Sequence, residues 1–433
     1  MKNFFQTILI FIARLYLIRY QPKIVAVTGN VGKTSAKVAI GAVLSHGFGQ
    51  DKVRVSQGNL NNELGVPLTI IGNYDQEYYQ RGRQIRFWLK ILFLGFLGLI
   101  FKRHYPKILV LEFGADRPGD ISRLAKNFKP DIGVVTAIGQ IPVHVEFFSQ
   151  PSDLAHEKSQ LVRALGAEDL AVLNADDDLV LNMKTKTRAD VLTFGFSPTA
   201  EIKILNFKTQ INNLRKPVGV SFEIEYKNQI VPVSLRGSLG KGLAYASSTA
   251  VAVGLGFKID LDVISHALNQ HYRGPAGRLR ILEGVKNTLI IDDTYNSAPS
   301  STELALKTLQ NIPASRRVVV LGDMLELGEY TPQAHLDAGV LAGGVADVLV
   351  CVGNRAVLIA DGASGKMKPD KIFTFSTADE AKKKVQDLLW ENDLILVKGS
   401  QGIRMEKIVE EIMAHPEQKK DLLVRQTKIW QNK

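Results

Sequence analysis

The chain has 433 residues, 45% hydrophobic and 22% charged, with a formal net charge of +11. This excludes disorder, collagen-like repeats and disulfide-stapled miniproteins, and the length exceeds one hydrophobic core, so two or three domains are expected. The charge is uneven: residues 1–110 hold 15 lysines and arginines against four acids, while the rest holds 39 of each sign, so a positive field confined to the first quarter points to an anionic partner surface.

Residues 4–18, Phe4 to Ile18, are apolar, with Lys2, Arg14 and Arg19 around or within them. No small-residue cleavage site follows, and the β-branched run Lys23–Val27 begins almost at once, which argues against a cleaved signal peptide. Thr28-Gly29-Asn30-Val31-Gly32-Lys33-Thr34-Ser35 comes next, ahead of an Ala-rich helical pattern through Leu44. A strand, a glycine loop and a helix start place backbone N–H groups around phosphate oxygens. Lys33 then reaches the β- and γ-phosphates, and the Thr34 hydroxyl serves Mg²⁺. The strict pattern has a glycine five residues before Gly32, where Val27 stands, but the context predicts nucleoside triphosphate binding.

A second apolar run, Phe87–Phe101, is flanked by Arg81, Arg83, Arg86, Lys102 and Arg103. It is shorter than the ~20 residues of a spanning helix, and Lys90 interrupts it. Both runs read as helices lying in an anionic membrane surface; the alternative is two core helices packed on each other. Nucleic acid is disfavoured, because the basic residues interleave with long aliphatic runs rather than a polar and aromatic surface.

From here β-type runs alternate with helical patterns: Ile108–Phe113, Ile132–Thr136, Ala171–Asn174, Leu289–Asp292, Arg317–Leu321, Val348–Val352 and Leu394–Val397. This predicts an α/β protein with mainly parallel sheets, split into two units around Gln270–Gly284. Residues 201–235 alternate as an antiparallel hairpin appended to the first unit. The one cysteine, Cys351, lies in the run Val348–Val352 and reads as a buried strand thiol, in keeping with a reducing compartment.

Several stretches together resemble the ATP-dependent Mur ligases of peptidoglycan synthesis. They are the loop Thr28–Ser35; Gly58 to Thr69, with Asn61; Leu111-Glu112-Phe113-Gly114 onward to Ile121; His144; Ala155-His156-Glu157-Lys158; and Gly277-Arg278. Ile291 to Asn296, Leu321 to Gly328 and Val397 to Lys407 complete the series, in the family's order from about residue 21 to 410. The last two are most like the branch that adds D-Ala-D-Ala. With residues 1–20 read as an apolar basic segment and 85–103 as an apolar insertion, the resemblance implies a central phosphate-loop ATPase domain over 21–274 and a Rossmann-like α/β domain over 275–433.

It also implies roles. Thr28, Gly29, Asn30, Val31, Gly32, Lys33, Thr34 and Ser35 would hold ATP, joined by Asp293, Tyr295, Asn296 and Asp323. Thr34 and Glu112 would hold one Mg²⁺ and His144 a second. Lys33, Lys158, His144 and Arg278 would form the catalytic set, and Asn61, Lys398, Ser400 and Arg404 would meet the substrates. Glu112 ends an apolar run, at a strand edge where α/β proteins bind ligands, although a surface carboxylate is its bland reading. Taken bare, Glu157-Lys158 is a solvated helical pair; the family carbamylates the matching lysine with CO₂. The Lys398 alternative is an ordinary strand-end lysine.

Such ligases phosphorylate a carboxylate with ATP and let an amine attack the acyl phosphate, so cations and positioning carry the catalysis. The resemblance thus implies a cytoplasmic ligase taking a small-molecule carboxylate and an amino acid or dipeptide, and the basic apolar front end adds the expectation of a peripheral place on the inner face of the plasma membrane. Three departures stand out. Only 27 residues precede Thr28, where the family carries a domain for the UDP-sugar, so a lipid-linked substrate or a cell-wall partner protein becomes an expectation. Gly240–Ala246 lacks the family's His-Asn, and Ala298 replaces a common Asn, so contacts to the base are weakened or rebuilt. The rival reading is a non-catalytic nucleotide-binding subunit anchored in a cell-wall complex.

Overall fold

The computed structural model describes residues 2–58, 60–82, 84–101, 104–139, 148, 150–427 and 430. The first sheet collects β1 (Lys23–Thr28), β2 (Val53–Val55), β3 (Ile108–Glu112), β4 (Ile132–Val135), β5 (Leu170–Asn174) and β6 (Asp190–Gly195). It continues through β7 (Ile202–Ile211), β8 (Pro217–Tyr226) and β9 (Gln229–Arg236), in the order β2-β3-β1-β4-β5-β6-β7-β8-β9. The pairs from β2 to β7 are parallel, and β7-β8-β9 are antiparallel. The alternation over 201–235 is therefore a three-stranded meander rather than a hairpin. β2 and β6 were not legible as strands, since one is short and the other carries charged and polar residues.

β1 sits between β3 and β4, so the loops after these strands meet at one sheet edge. Short apolar strands of this kind, buried on both faces, need helices on each side. Helix α2 (Lys33–Phe48) covers one face together with Gly242–Gly256. On the other face lie α1 (Lys2–Tyr20) and α3 (Gly65–Ile71), with α4 (Asp75–Arg81) and α5 (Ile85–Phe101) beside them, and then α6 (Asp120–Asn127) and α7 (Pro151–Arg163).

α1 and α5 pack together: Tyr16 Oη donates to the Gly95 carbonyl and Tyr20 Oη to the Gly98 carbonyl, each at 3.1 Å. A Cβ on Gly98 would sit 2.0 Å from Tyr16 Oη, so this close approach requires glycine. Leu9, Ile12, Ala13 and Tyr16 face the core from α1, and Phe87, Ile91 and Gly95 from α5.

The second sheet has the order β10-β11-β15-β12-β13-β14, from Arg280–Glu283, Leu289–Asp293, Leu394–Lys398, Arg317–Gly322, Val348–Val352 and Ile372–Phe375. Only the β10 pairing is antiparallel within it. The units are sewn together where the chain crosses: Leu239 N–H donates to Leu279 O and Ile281 N–H to Gly237 O, both at 2.9 Å. Cys351 is buried in β13, and burial pushes its thiol up to about 12.

Candidate active site between the two units

β1 ends at Thr28, and the chain turns through Gly29 and Gly32 before α2 starts at Lys33. Both glycines are required. Gly29 has φ +144° and a Cβ there would lie 2.0 Å from Thr136 Oγ1; Gly32 has φ +89°. The loop is fastened from behind. Asn30 Nδ2 donates to Ile138 O at 2.7 Å, Thr136 Oγ1 to Val31 O at 2.7 Å, and Thr28 Oγ1 to Phe113 O at 2.8 Å. Ser35 is buried in the first turn of α2.

Glu112, the last residue of β3, is buried beside this loop. Its Oε2 accepts from Thr34 Oγ1 at 3.3 Å and pairs with Lys37 Nζ at 3.1 Å, while Oε1 accepts from Asn61 Nδ2 at 3.3 Å. Burial by itself would push the Glu112 carboxyl up. Attraction from Lys37 and Lys33, with hydrogen bonds from Lys37 and Asn61, outweighs it and holds the group below the ordinary carboxylate range. Lys37 was missed in the sequence. It stands one helical turn after Lys33, a spacing that puts both on one face of α2 and was its available signal.

The oxygens fit a hard cation. A carboxylate and a hydroxyl oxygen 3.3 Å apart are donors of the kind that would hold Mg²⁺. His144 lies outside the described residues.

Lys158, on α7, overturns the bare reading of a solvated pair: it and Glu157 are both buried. Glu157 accepts from the N–H groups of Gly119 and Ile121, each at 2.7 Å, and so caps the start of α6. Burial first, and repulsion from Lys33 second, bring the Lys158 ammonium down to about 7. Lys33 is likewise lowered, mainly by burial; its Nζ donates to Gly29 O at 2.8 Å.

From the second unit, Arg278 Nη2 reaches Thr34 Oγ1 at 3.3 Å, and its guanidinium stacks on Tyr295 at 4.3 Å. Arg278 Nε is buried without a hydrogen-bond partner among the described residues, a donor left over beside the phosphate loop. The other second-unit residues make these contacts within the chain. Lys398 is buried on β15, with Nζ 2.6 Å from Asp293 Oδ2 and 2.9 Å from Asn296 O. Asp293 Oδ1 accepts from Leu279 N–H, so this carboxylate braces the crossing strand. Ser400 Oγ accepts from Leu325 N–H at 2.9 Å and donates to Ser297 O. Asp323 accepts from the N–H groups of Arg355 and Ala356, and Asn296 Oδ1 from Gln401 N–H. Ser400 and Asp323 thereby satisfy buried or half-buried backbone, which a strand-end position in the sequence does not reveal.

Arg404 sits at φ +63°, with Nε bonded to Glu406 at 2.6 Å and Nη1 buried without a partner among the described residues. Glu406 in turn pairs with Arg425 at 2.8 Å. In the diverged stretch Gly240–Ala246, Lys241 Nζ lies 4.7 Å over the Phe196 ring and Tyr245 Oη donates to Asp176 at 2.7 Å.

A glycine loop between a strand and a helix on one unit is thus met by an arginine from the other. The Mur ligase middle domain matches residues 98–254, and the Mur ligase glutamate ligase domain matches residues 277–401. The chain belongs to the Mur ligase family. It is 27% identical over 403 residues to the UDP-N-acetylmuramoyl-tripeptide–D-alanyl-D-alanine ligase of Rickettsia prowazekii, covering 90% of this chain and 77% of that one. The crystal structure of MurF from Acinetobacter baumannii superposes with a TM-score of 0.75 at 25% identity, over 93% of this chain and 79% of that one. MurF ligase of Thermotoga maritima in complex with ADP shares the fold, with a TM-score of 0.75 at 24% identity, over 94% and 83% of the two chains.

Proposed function

We propose that this Mur ligase joins D-alanyl-D-alanine to the terminal carboxylate of a UDP-N-acetylmuramoyl-tripeptide at the expense of ATP, in the cytoplasm. The observation that carries the reading is the meeting of Arg278 with Thr34 beside Glu112, which brings both units to one point. The names and ADP complex of the similar proteins support it.

In this reading the acid's carboxylate oxygen bonds to the γ-phosphorus as ADP leaves. The amine nitrogen then attacks the acyl carbon, loses a proton and expels phosphate. Both partners of the first step are anions, so the protein's task is to cancel charge and align them. The N–H groups of the Thr28–Ser35 loop and the start of α2 hold the phosphates, and Lys33 turns from its own loop to their oxygens. Arg278, with its spare Nε, completes the cation set from the other unit, so full activity needs both units in contact. Mg²⁺ held by Thr34 and Glu112 would neutralise the β- and γ-phosphates; a second, at His144, rests on the family resemblance.

A neutral amine adds to CO₂, forming a C–N bond and releasing one proton, and Lys158, lowered to about 7, supplies that amine. Carbamylation turns a cation that repels Lys33 into an anion that attracts it. Asn61 orients Glu112, while Arg404 Nη1 offers a donor to the dipeptide's carboxylate. Asp293, Tyr295, Asn296, Asp323, Lys398 and Ser400 act on the nucleotide and amine through the loops they brace.

The test is phosphate release by the purified protein with ATP, Mg²⁺ and bicarbonate, with and without UDP-muramoyl-tripeptide and D-Ala-D-Ala. Release that requires both substrates is expected. Nucleotide binding without turnover on this pair would sink the substrate assignment and favour a lipid-linked acid or the non-catalytic reading.

A further inference from the structure

We propose that the outer face of α5, backed by α1, is a docking surface for an anionic lipid bilayer. The inference is independent of the ligase reading and rests on three observations. The first is a continuous apolar stripe. Ile85, Leu89, Phe93, Phe96 and Ile100 follow one another at spacings of four, four, three and four, one face of a helix. All five are exposed, Phe93 and Ile100 at 64%. They lie opposite Phe87, Ile91 and Gly95, which are buried, so the helix is fixed to the protein by one side and open on the other. Phe11 and Ile18 on α1 are exposed apolar residues as well. Scattered exposed apolar residues need no explanation, but a stripe along nearly the whole of a seventeen-residue helix does.

The second observation is charge. Arg14, Arg19 and Arg86 are exposed on the same two helices. Lys90 is exposed as well and pairs with Glu77 at 2.8 Å, so it contributes less. Arg83, Lys102 and Arg103 flank α5 in the sequence, and the chain's whole excess of +11 lies in its first 110 residues. A second copy of this chain would bring the same positive charge against itself, whereas phosphatidylglycerol-type headgroups are complementary to it.

The third is length. No described helix is long and apolar enough to cross a membrane. At 1.5 Å per residue, α5 measures about 26 Å, short of the ~30 Å hydrocarbon core. A one-sided apolar helix of this length, anchored through Tyr16, Tyr20, Gly95 and Gly98, lies along the interface with its stripe in the acyl boundary.

The test uses the full chain and vesicles of phosphatidylcholine alone or mixed with phosphatidylglycerol, read by co-sedimentation. A Phe93→Trp reporter follows burial by its emission. Wild-type protein is expected on the anionic vesicles, with release by salt and a blue-shifted reporter. A Phe93→Gln/Phe96→Gln/Ile100→Gln variant, altered only at exposed positions and checked by thermal melting, is expected to bind about tenfold or more weakly. Equal binding to both vesicle types, none to either, or undiminished binding by the triple variant would overturn the proposal. So would a lipid-free dimer in light scattering that the triple variant dissolves while vesicle binding is absent, which would assign the face to self-association. Ligase turnover is not a readout, so either reading can fail alone.

Discussion

Around Glu112 the first unit gathers Lys33, Lys37 and Lys158, whereas in the second unit Asp293 meets Lys398 and its other oxygen is taken by a backbone N–H. The first arrangement sets three lysines around one carboxylate, with Lys33 and Lys158 lowered mainly by burial; the second closes on itself. A surplus of cations beside a glycine loop is what anionic phosphates and a carboxylate need on arrival. A buried pair with both partners satisfied adds rigidity and geometry instead, and its removal exposes an uncompensated charge.

The contrast predicts that the two lysines fail in different ways. Lys33→Ala should lower turnover by about a thousandfold with little change in stability, as for loss of a main transition-state cation; phosphate release and urea unfolding, run side by side, check this. Lys398→Met should instead destabilise the fold by about 3–5 kcal/mol, and a second change, Asp293→Asn, should return much of it. A stable Lys398→Met protein with only a raised KM for the dipeptide would return Lys398 to a substrate role.

Lys158 sharpens the comparison through pH. Its ordinary value of 10.5 falls to about 7 in the fold, so between these the unfolded chain binds the extra proton. Stability should therefore rise with pH from about 7 toward 10.5, and the burden should be complete below 7. Lys158→Met should flatten that part of the urea-midpoint profile. In bicarbonate, a carbon-13 carbamate resonance is expected from wild type and not from Lys158→Arg. The smallest effect concerns Cys351: with its thiol raised to about 12, it should resist alkylation at neutral pH until urea opens the second sheet.

Lys33 and Thr34 were legible because a phosphate loop is a local object: strand, glycines and helix start are contiguous, and each glycine answers a backbone need nearby. Glu112 was legible as the polar end of an apolar strand. Thr136 was not, since its role as the loop's rear fastening comes from a neighbouring strand more than a hundred residues away. The two apolar runs posed a choice between core and membrane, and the helices they form have a face for each: Tyr16 and Gly95 are buried together while Phe93 stays open.

By itself the sequence determined the alternation of strands and helices, the phosphate loop and the surplus of charge at the front of the chain, because these depend on residues near one another. Only the tertiary structure decided that Lys158 is buried and lowered, that Lys37 shares Glu112, that Lys398 turns inward to Asp293 and that Arg278 reaches Thr34. Burial and the sum of charges around a group are set by chain segments that meet in space, and no single segment carries that information.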